Sequence, residues 1–198
     1  MGLKESLAKV VDQIDETELV ETVLEICNIY SPPGKETESC EWAFQWMKAN
    51  GFAPKRCGMV PERFNVIGKL PGSGGGRSLL FSSHLDAHGP KDEVTDDWRF
   101  NEHGLTLRHF REAWLDGDIL RGESVQNDKG PLICFLMAAK AIRAAGLKLK
   151  GDVWLTACPG EMGQEPVDEF TGIGQMSKEV GAEYMMTHGG IMADFGIA

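Results

Sequence analysis

The 198-residue chain lacks a Cys-x-x-Cys pair, an excess of basic residues and any internal repeat or low-complexity tract. It also lacks an apolar run approaching the ~20 residues that span a bilayer, which argues against a membrane protein. Each absence excludes a class of function. Lys and Arg number 20 against 30 Asp and Glu, a formal net charge of −10, and nucleic-acid phosphates need a basic footprint that is missing here. Five cysteines (Cys27, Cys40, Cys57, Cys134, Cys158) are an odd number without close pairing, so they fit a reducing compartment better than a disulfide framework. Cys134 and Cys158 read as small buried apolar groups. Met1 to Asp15 is charged and periodic and has no signal-peptide core, so the expectation is a cytoplasmic protein. The glycine run from Gly72 to Gly76 is not a phosphate loop, because no Lys-Ser/Thr and no helix follow it.

What is present is an α/β pattern. Helical periodicity runs over Met1–Val11, Glu16–Ile29 and Glu36–Asn50, with Gly51 as the stop of the third helix. Strand signals cover Phe52–Cys57, Phe64–Leu70 and Arg77–Ser83. From His88 to Glu112 the chain is polar and irregular, and loops of that length are usually functional or disordered. Asp116-Gly117-Asp118 marks a hairpin over Trp114–Arg121. Pro131–Ala145 reads as a buried helix, Asp152–Cys158 as a strand, Gly172–His188 as a helix and Ala193–Ala198 as the start of another strand. This order predicts an α/β three-layer sandwich with a largely parallel central sheet. In such sheets ligands gather beyond the carboxyl ends of the strands.

The candidate site residues fall at those ends. His84 and Asp86 close the strand that holds Leu79-Leu80-Phe81. Two-residue spacing on extended chain puts both side chains on one face, so Asp86 can orient His84 as a metal ligand. The same pair also reads as a plain hydrogen-bonded couple. Asp128 opens the buried helix, where it is either a metal ligand or an N-cap. Glu161, beyond Cys158-Pro159-Gly160, is either a ligand or a solvated loop acid. One His and two acids make a hard N/O metal site. His88 reads as a surface histidine that is also placed to be a ligand. His103 and His109 have no nameable partner, and His188 at a helix end reads as structural.

These residues, taken in order, resemble the aminoacylase / carboxypeptidase G / acetylornithine deacetylase family of two-metal peptidases and amidohydrolases. His84-Leu85-Asp86 is similar to that family's His-x-Asp, and Asp116 to Gly122 to its hairpin before the bridging aspartate. Asn127-Asp128-Lys129-Gly130 is similar to the bridging Asp with its Lys-Gly, and Gly146 to Cys158 to the helix end and strand before a Glu-Glu pair. The resemblance implies a phosphorylase/hydrolase-like zinc-peptidase catalytic domain. In it His84 and Glu161 ligate divalent metal, Asp128 bridges two ions and Asp86 orients His84. Zn is the expected metal, with Mn or Co as alternatives. It further implies metal-activated water attacking an amide or other C–N bond of a small acidic or amino-acid-like substrate, and it is compatible with a homodimer in the full-length form.

Two departures stand out. Where the family has Glu-Glu, this chain has Gly160-Glu161-Met162-Gly163. Aligned on Met162-Gly163, Glu161 takes the ligand position and Gly160 the general-base position. The other alignment makes Glu161 the base and costs a ligand at Met162. Glu165 is a stand-in base on the next loop. Second, family members are roughly twice as long, so the expectation is that residues 1–198 are the N-terminal part of the catalytic domain, without the lid or dimerisation domain and the returning half. The next acidic ligand is then Asp194 or a residue past Ala198. The competing expectations are a catalytically silent metal-binding or scaffold homologue, favoured by Gly160, and a plain α/β interaction domain.

Overall fold

A computed structural model describes residues 2–87, 105–162 and 179–198. Three helices come first: α1 (Leu3–Val11), α2 (Glu16–Cys27) and α3 (Thr37–Ala49). Asp15 caps α2 by accepting the Glu18 N–H at 3.0 Å, and Glu16 and Glu18 put negative charge at the positive helix end. The apolar stripes of α2 and α3 bury Val23, Ile26, Cys40, Ala43 and Met47.

Strand β1 (Lys55–Val60) begins later than its apolar pattern suggests. Phe52 is buried instead against Trp46, with ring centroids 6.3 Å apart, and Ala53 turns the chain at φ 45° before the strand can start. β2 (Arg63–Leu70), β3 (Leu79–His84), β4 (Trp114–Asp116) and β5 (Ile119–Arg121) follow, with α4 (Leu107–Arg111) between β3 and β4. Then come α5 (Glu123–Gln126), α6 (Lys129–Ala144), β6 (Val153–Cys158), α7 (Ala182–His188) and β7 (Phe195–Ile197). β4 and β5 form the expected hairpin, pairing Trp114 with Arg121.

The main sheet has the order β1-β2-β6-β3-β7. β6–β3 and β3–β7 are parallel, as expected of the centre, whereas β1–β2 and β2–β6 are antiparallel. Alternation sorts the side chains into two layers. Val66, Leu70, Leu155 and Ala157 face α2, α3 and α6, and Ile67 and Leu80 meet Met185 of α7 and Ile191 on the other face. Helices on both faces of a mixed sheet make the three-layer sandwich. Among the described residues no helix is long and apolar enough to cross a membrane.

α6 starts at Lys129, two residues before the proline that periodicity takes as its first position. Cys134 on this helix faces solvent, contrary to the buried role expected of it, because it lies off the stripe of Leu132, Ile133, Leu136 and Met137 that enters the core. Lys129 itself is fully buried. Its ammonium donates to the main-chain oxygens of Ile26 at 3.1 Å and Ile29 at 2.7 Å, at the C-terminal end of α2. Ser124 Oγ donates to Cys27 O (2.9 Å) and Asn28 Nδ2 to Leu24 O (2.8 Å), so the last carbonyls of α2 find side-chain donors. Burial pulls the Lys129 ammonium down to about 8.

A second buried pair joins α3 to β2. Arg63 donates through Nε to Glu36 Oε2 at 3.0 Å and through Nη2 to Glu36 Oε1 at 2.7 Å, and both side chains are fully buried. Burial pushes the Glu36 carboxyl up, and the guanidinium only partly opposes it. Removing one partner leaves an uncompensated buried charge. Arg63→Met should therefore lower unfolding stability by about 3–5 kcal/mol, whereas the double replacement Glu36→Leu/Arg63→Met should recover most of it. Urea unfolding of the two single variants and the double variant measures the coupling, and additive losses would refute it.

Candidate metal centre

The parallel pairing of β3 with β6 places His84 opposite Cys158, so both strands end together. Just beyond, the chain after β6 turns at Gly160, whose φ of 74° lies in the left-handed region that glycine adopts without a Cβ penalty. That turn aims two successive amides at one acceptor. Glu161 N donates to Asp86 Oδ1 at 3.0 Å and Met162 N to Asp86 Oδ2 at 2.6 Å. Asp86 has no exposed surface. Burial alone would raise its carboxyl; contact with His84 and the amides of Glu161 and Met162 outweigh burial and hold it below the ordinary value.

Asp86 also lies behind His84, as the two-residue spacing anticipates. The bond that orients the ring is made chiefly by main chain: Nδ1 is 2.8 Å from Asp86 O and 3.5 Å from Asp86 Oδ1. Burial works to lower the imidazole, but the Asp86 contacts and the charge of Asp128 more than offset this and raise it. With Nδ1 facing the Asp86 oxygens, Nε2 is the ring nitrogen that faces the Glu161 and Asn127 side chains. It sits 3.7 Å from Glu161 Oε2 and 3.1 Å from Asn127 Oδ1.

Of the three sequence-predicted metal ligands, His84 and Glu161 converge, the first buried and the second about half exposed. Asp128 stands at the start of α6, half-buried, and both its main-chain O (2.8 Å) and its Oδ2 (2.7 Å) accept from Ser83 Oγ. The Asn127–Asp128 peptide is cis. Among the described residues no group of three His, Cys, Asp or Glu side chains is close enough to hold an ion. The donor chemistry, an imidazole backed by oxygen and facing a carboxylate oxygen, fits a borderline or hard divalent ion.

Other candidates fall elsewhere. Asp194 accepts from Ser78 N at 2.7 Å and Ser78 Oγ at 2.9 Å. It therefore lies at the amino end of β3, the opposite end from His84, and is not a ligand of this site. Cys158 is buried and its thiol is pushed up to about 12 by burial, so it stays protonated. His188 closes α7 and stacks on Tyr184, a structural role. His88, His103, Gly163 and Glu165 lie outside the described residues. Sequence reasoning missed Ser83 and Asn127. A hydroxyl one residue before a strand-end histidine, and an amide one residue before a helix-opening aspartate, are the signals that point to them.

The comparisons with known proteins bear on this geometry. No protein-family model matches the chain. A tripeptidase from Staphylococcus aureus subsp. aureus Mu50 covers 93% of this chain and 43% of its own, with a TM-score of 0.60 at 19% identity. Human carnosine dipeptidase 1 covers 84% of this chain and 36% of its own, with a TM-score of 0.61 at 16% identity. An M20 family metallo-carboxypeptidase from Sulfolobus solfataricus covers 74% and 31%, with a TM-score of 0.56 at 17% identity. In sequence, the N-formyl-4-amino-5-aminomethyl-2-methylpyrimidine deformylase of Bacillus subtilis (strain 168) is 29% identical over 134 residues, which is 66% of this chain and 29% of that protein. The chain thus has the fold of metallopeptidase catalytic domains of this kind, and it spans less than half the length of each of these relatives.

Asp86→Asn replaces one amide acceptor by an NH₂ that opposes a main-chain N–H. It should cost about 1–3 kcal/mol at neutral pH. The sign with pH follows from the depressed folded value. Stability supplied by Asp86 is complete above its unfolded value of about 3.9 and is lost as pH falls through the folded one. The gap between wild type and Asp86→Asn in urea unfolding should therefore shrink between about pH 5 and 3. A gap that widens between about pH 5 and 3 would contradict the assignment.

Proposed function

We propose that this chain carries the metal-binding part of a hydrolase that cleaves an amide or other C–N bond of a small substrate, corresponding to the N-terminal part of a metallohydrolase catalytic domain. The observation that carries the reading is the meeting of His84 Nε2 and Glu161 Oε2 at 3.7 Å beyond the carboxyl ends of β3 and β6, with Asp86 behind the ring. Support also comes from the likeness in sequence to a deformylase, whose name describes removal of an N-formyl group, and in fold to peptidases.

In this reading His84, Glu161 and Asp128 would supply the donors for divalent metal, with Zn favoured by a mixed imidazole and carboxylate donor set and Mn or Co as alternatives. Bound metal supplies a water of lowered pKa and a Lewis acid for the carbonyl. The chain's own residues do the rest. Asp86 fixes the His84 ring and holds the Glu161 segment against it. Ser83 holds the Asp128 carboxylate in place through Oδ2. Asn127 presents Oδ1 to the same imidazole nitrogen and donates through Nδ2 to Met162 Sδ at 3.2 Å, which keeps the soft thioether engaged and leaves Glu161 as the ligand of that segment.

Proton transfer is the weak point. Position 160 carries no side chain, and general acid–base help is typically worth roughly 10²–10⁴-fold. That one observation favours a second reading: a homologue that binds metal and substrate without turnover. Zn²⁺ titration calorimetry tests what both readings share. His84→Ala and Asp128→Ala should each weaken binding by about tenfold or more, while Asp194→Ala, at the far end of β3, should leave it unchanged. Equal losses in all three variants would refute the site. Release of formate or amine from N-formyl and N-acyl amines by the Zn-loaded protein separates the readings: turnover supports the hydrolase, and saturable binding without turnover supports the silent homologue.

A further inference from the structure

One of the side chains that face His84 Nε2 carries no charge. Asn127 Oδ1 lies 3.1 Å from that nitrogen, and Glu161 Oε2 lies 3.7 Å from it. The protons of the ring and the amide decide what can stand between them. Nδ1 is 2.8 Å from the main-chain oxygen of Asp86, which has no hydrogen to give. The neutral ring therefore carries its proton on Nδ1 and a lone pair on Nε2. The amide is oriented from its other end. Nδ2 donates to Met162 Sδ at 3.2 Å, and a thioether is an acceptor. Oδ1 thus turns its own lone pairs toward Nε2. Two acceptors face each other at hydrogen-bonding distance, with a carboxylate oxygen beside them. Such an arrangement is repulsive until a positive centre, a proton or a metal ion, lies among the three.

The adjacent carboxylate is engaged differently. Asp128 Oδ2 accepts from Ser83 Oγ at 2.7 Å, so of these two neighbours it is the amide that lies within hydrogen-bonding distance of Nε2. We infer that Asn127 is itself a metal ligand of the candidate centre, its Oδ1 binding the same divalent ion as His84 Nε2, alongside the carboxylates of Glu161 and Asp128. The inference deepens the proposed function and rests on its metal-binding part alone. An amide oxygen is a hard donor that holds an ion without adding charge. The donor set is thus one negative charge poorer than it would be with an acid at position 127, and supplying that charge should strengthen it. A count of His, Cys, Asp and Glu side chains passes over this ligand, because asparagine is not among them.

The test compares wild type, Asn127→Leu and Asn127→Asp in two measurements. One is Zn²⁺ titration calorimetry. The other is urea unfolding of the metal-free protein at about pH 9, where the imidazole is neutral. Asn127→Leu removes the oxygen at similar volume. It should weaken Zn²⁺ binding by about tenfold or more, yet leave the metal-free urea midpoint at or above that of wild type, because the facing lone pairs are gone. Asn127→Asp returns an oxygen to the same place and adds charge, so it should bind Zn²⁺ at least as tightly as wild type. Circular dichroism confirms that each variant is folded. Undiminished Zn²⁺ binding in folded Asn127→Leu would overturn the proposal, and so would weaker binding in Asn127→Asp. A metal-free midpoint that falls in Asn127→Leu would also overturn it, since the amide would then be a structural partner of the ring. Hydrolysis of N-formyl amines by the Zn-loaded protein is scored separately. Affinity that depends on Asn127 without turnover keeps the ligand and removes the hydrolase. Turnover with an affinity indifferent to Asn127→Leu does the reverse.

Discussion

The carboxylate of Asp86 is buried without solvent and would be costly there as a bare charge. It is tolerated because two main-chain amides and an imidazole converge on it. Those partners come from different strands. His84 belongs to the end of β3, while Glu161 and Met162 follow the end of β6. The single carboxylate therefore ties the segment that follows β6 to the end of β3 and sets where Glu161 stands relative to His84. Without it, the ladder that pairs His84 with Cys158 would still hold the strands, but the Glu161 and Met162 amides would lose their shared acceptor.

The same economy governs the charges below the site. Asp128 and Lys129 are neighbours in sequence with divided tasks. The carboxylate turns toward Ser83 and the candidate centre, and the ammonium runs the other way to the carbonyls that end α2. Helix α2 is thereby closed by the first residue of α6, from a part of the chain about a hundred residues away. Glu36 and Arg63 bind the start of α3 to the start of β2 in a comparable manner. Each buried charge is matched by two hydrogen bonds, which offset the cost of burying an ion, and each joins elements distant in the chain.

How far this was legible in the chain depends on the kind of force involved. Elements driven by apolar periodicity were readable: α2, α3, α6, the hairpin around Gly117, and the central strands with His84 and Glu161 beyond their carboxyl ends. Boundaries were less so where packing overrides pattern. Phe52 reads as strand because it is apolar, yet it serves the α3 core. Buried Arg63, Glu36 and Lys129 were illegible, since charged residues are rarely fully buried and nothing local announces their distant partners. Asp194 shows the same limit from the other side. Its place in the chain suits a ligand, and only strand pairing reveals that it sits at the wrong end of β3.

Gly160 carries a consequence for descent. Its backbone, at φ 74°, is what lets two consecutive amides reach Asp86. Any side chain there would weaken the turn by about 1 kcal/mol before it contributed anything to chemistry. A lineage with this turn is thus held away from acquiring a carboxylate at that point by single substitution, because the first effect of the change is to loosen the segment the new group would have to serve. Gain of a side chain here requires remodelling of the loop first.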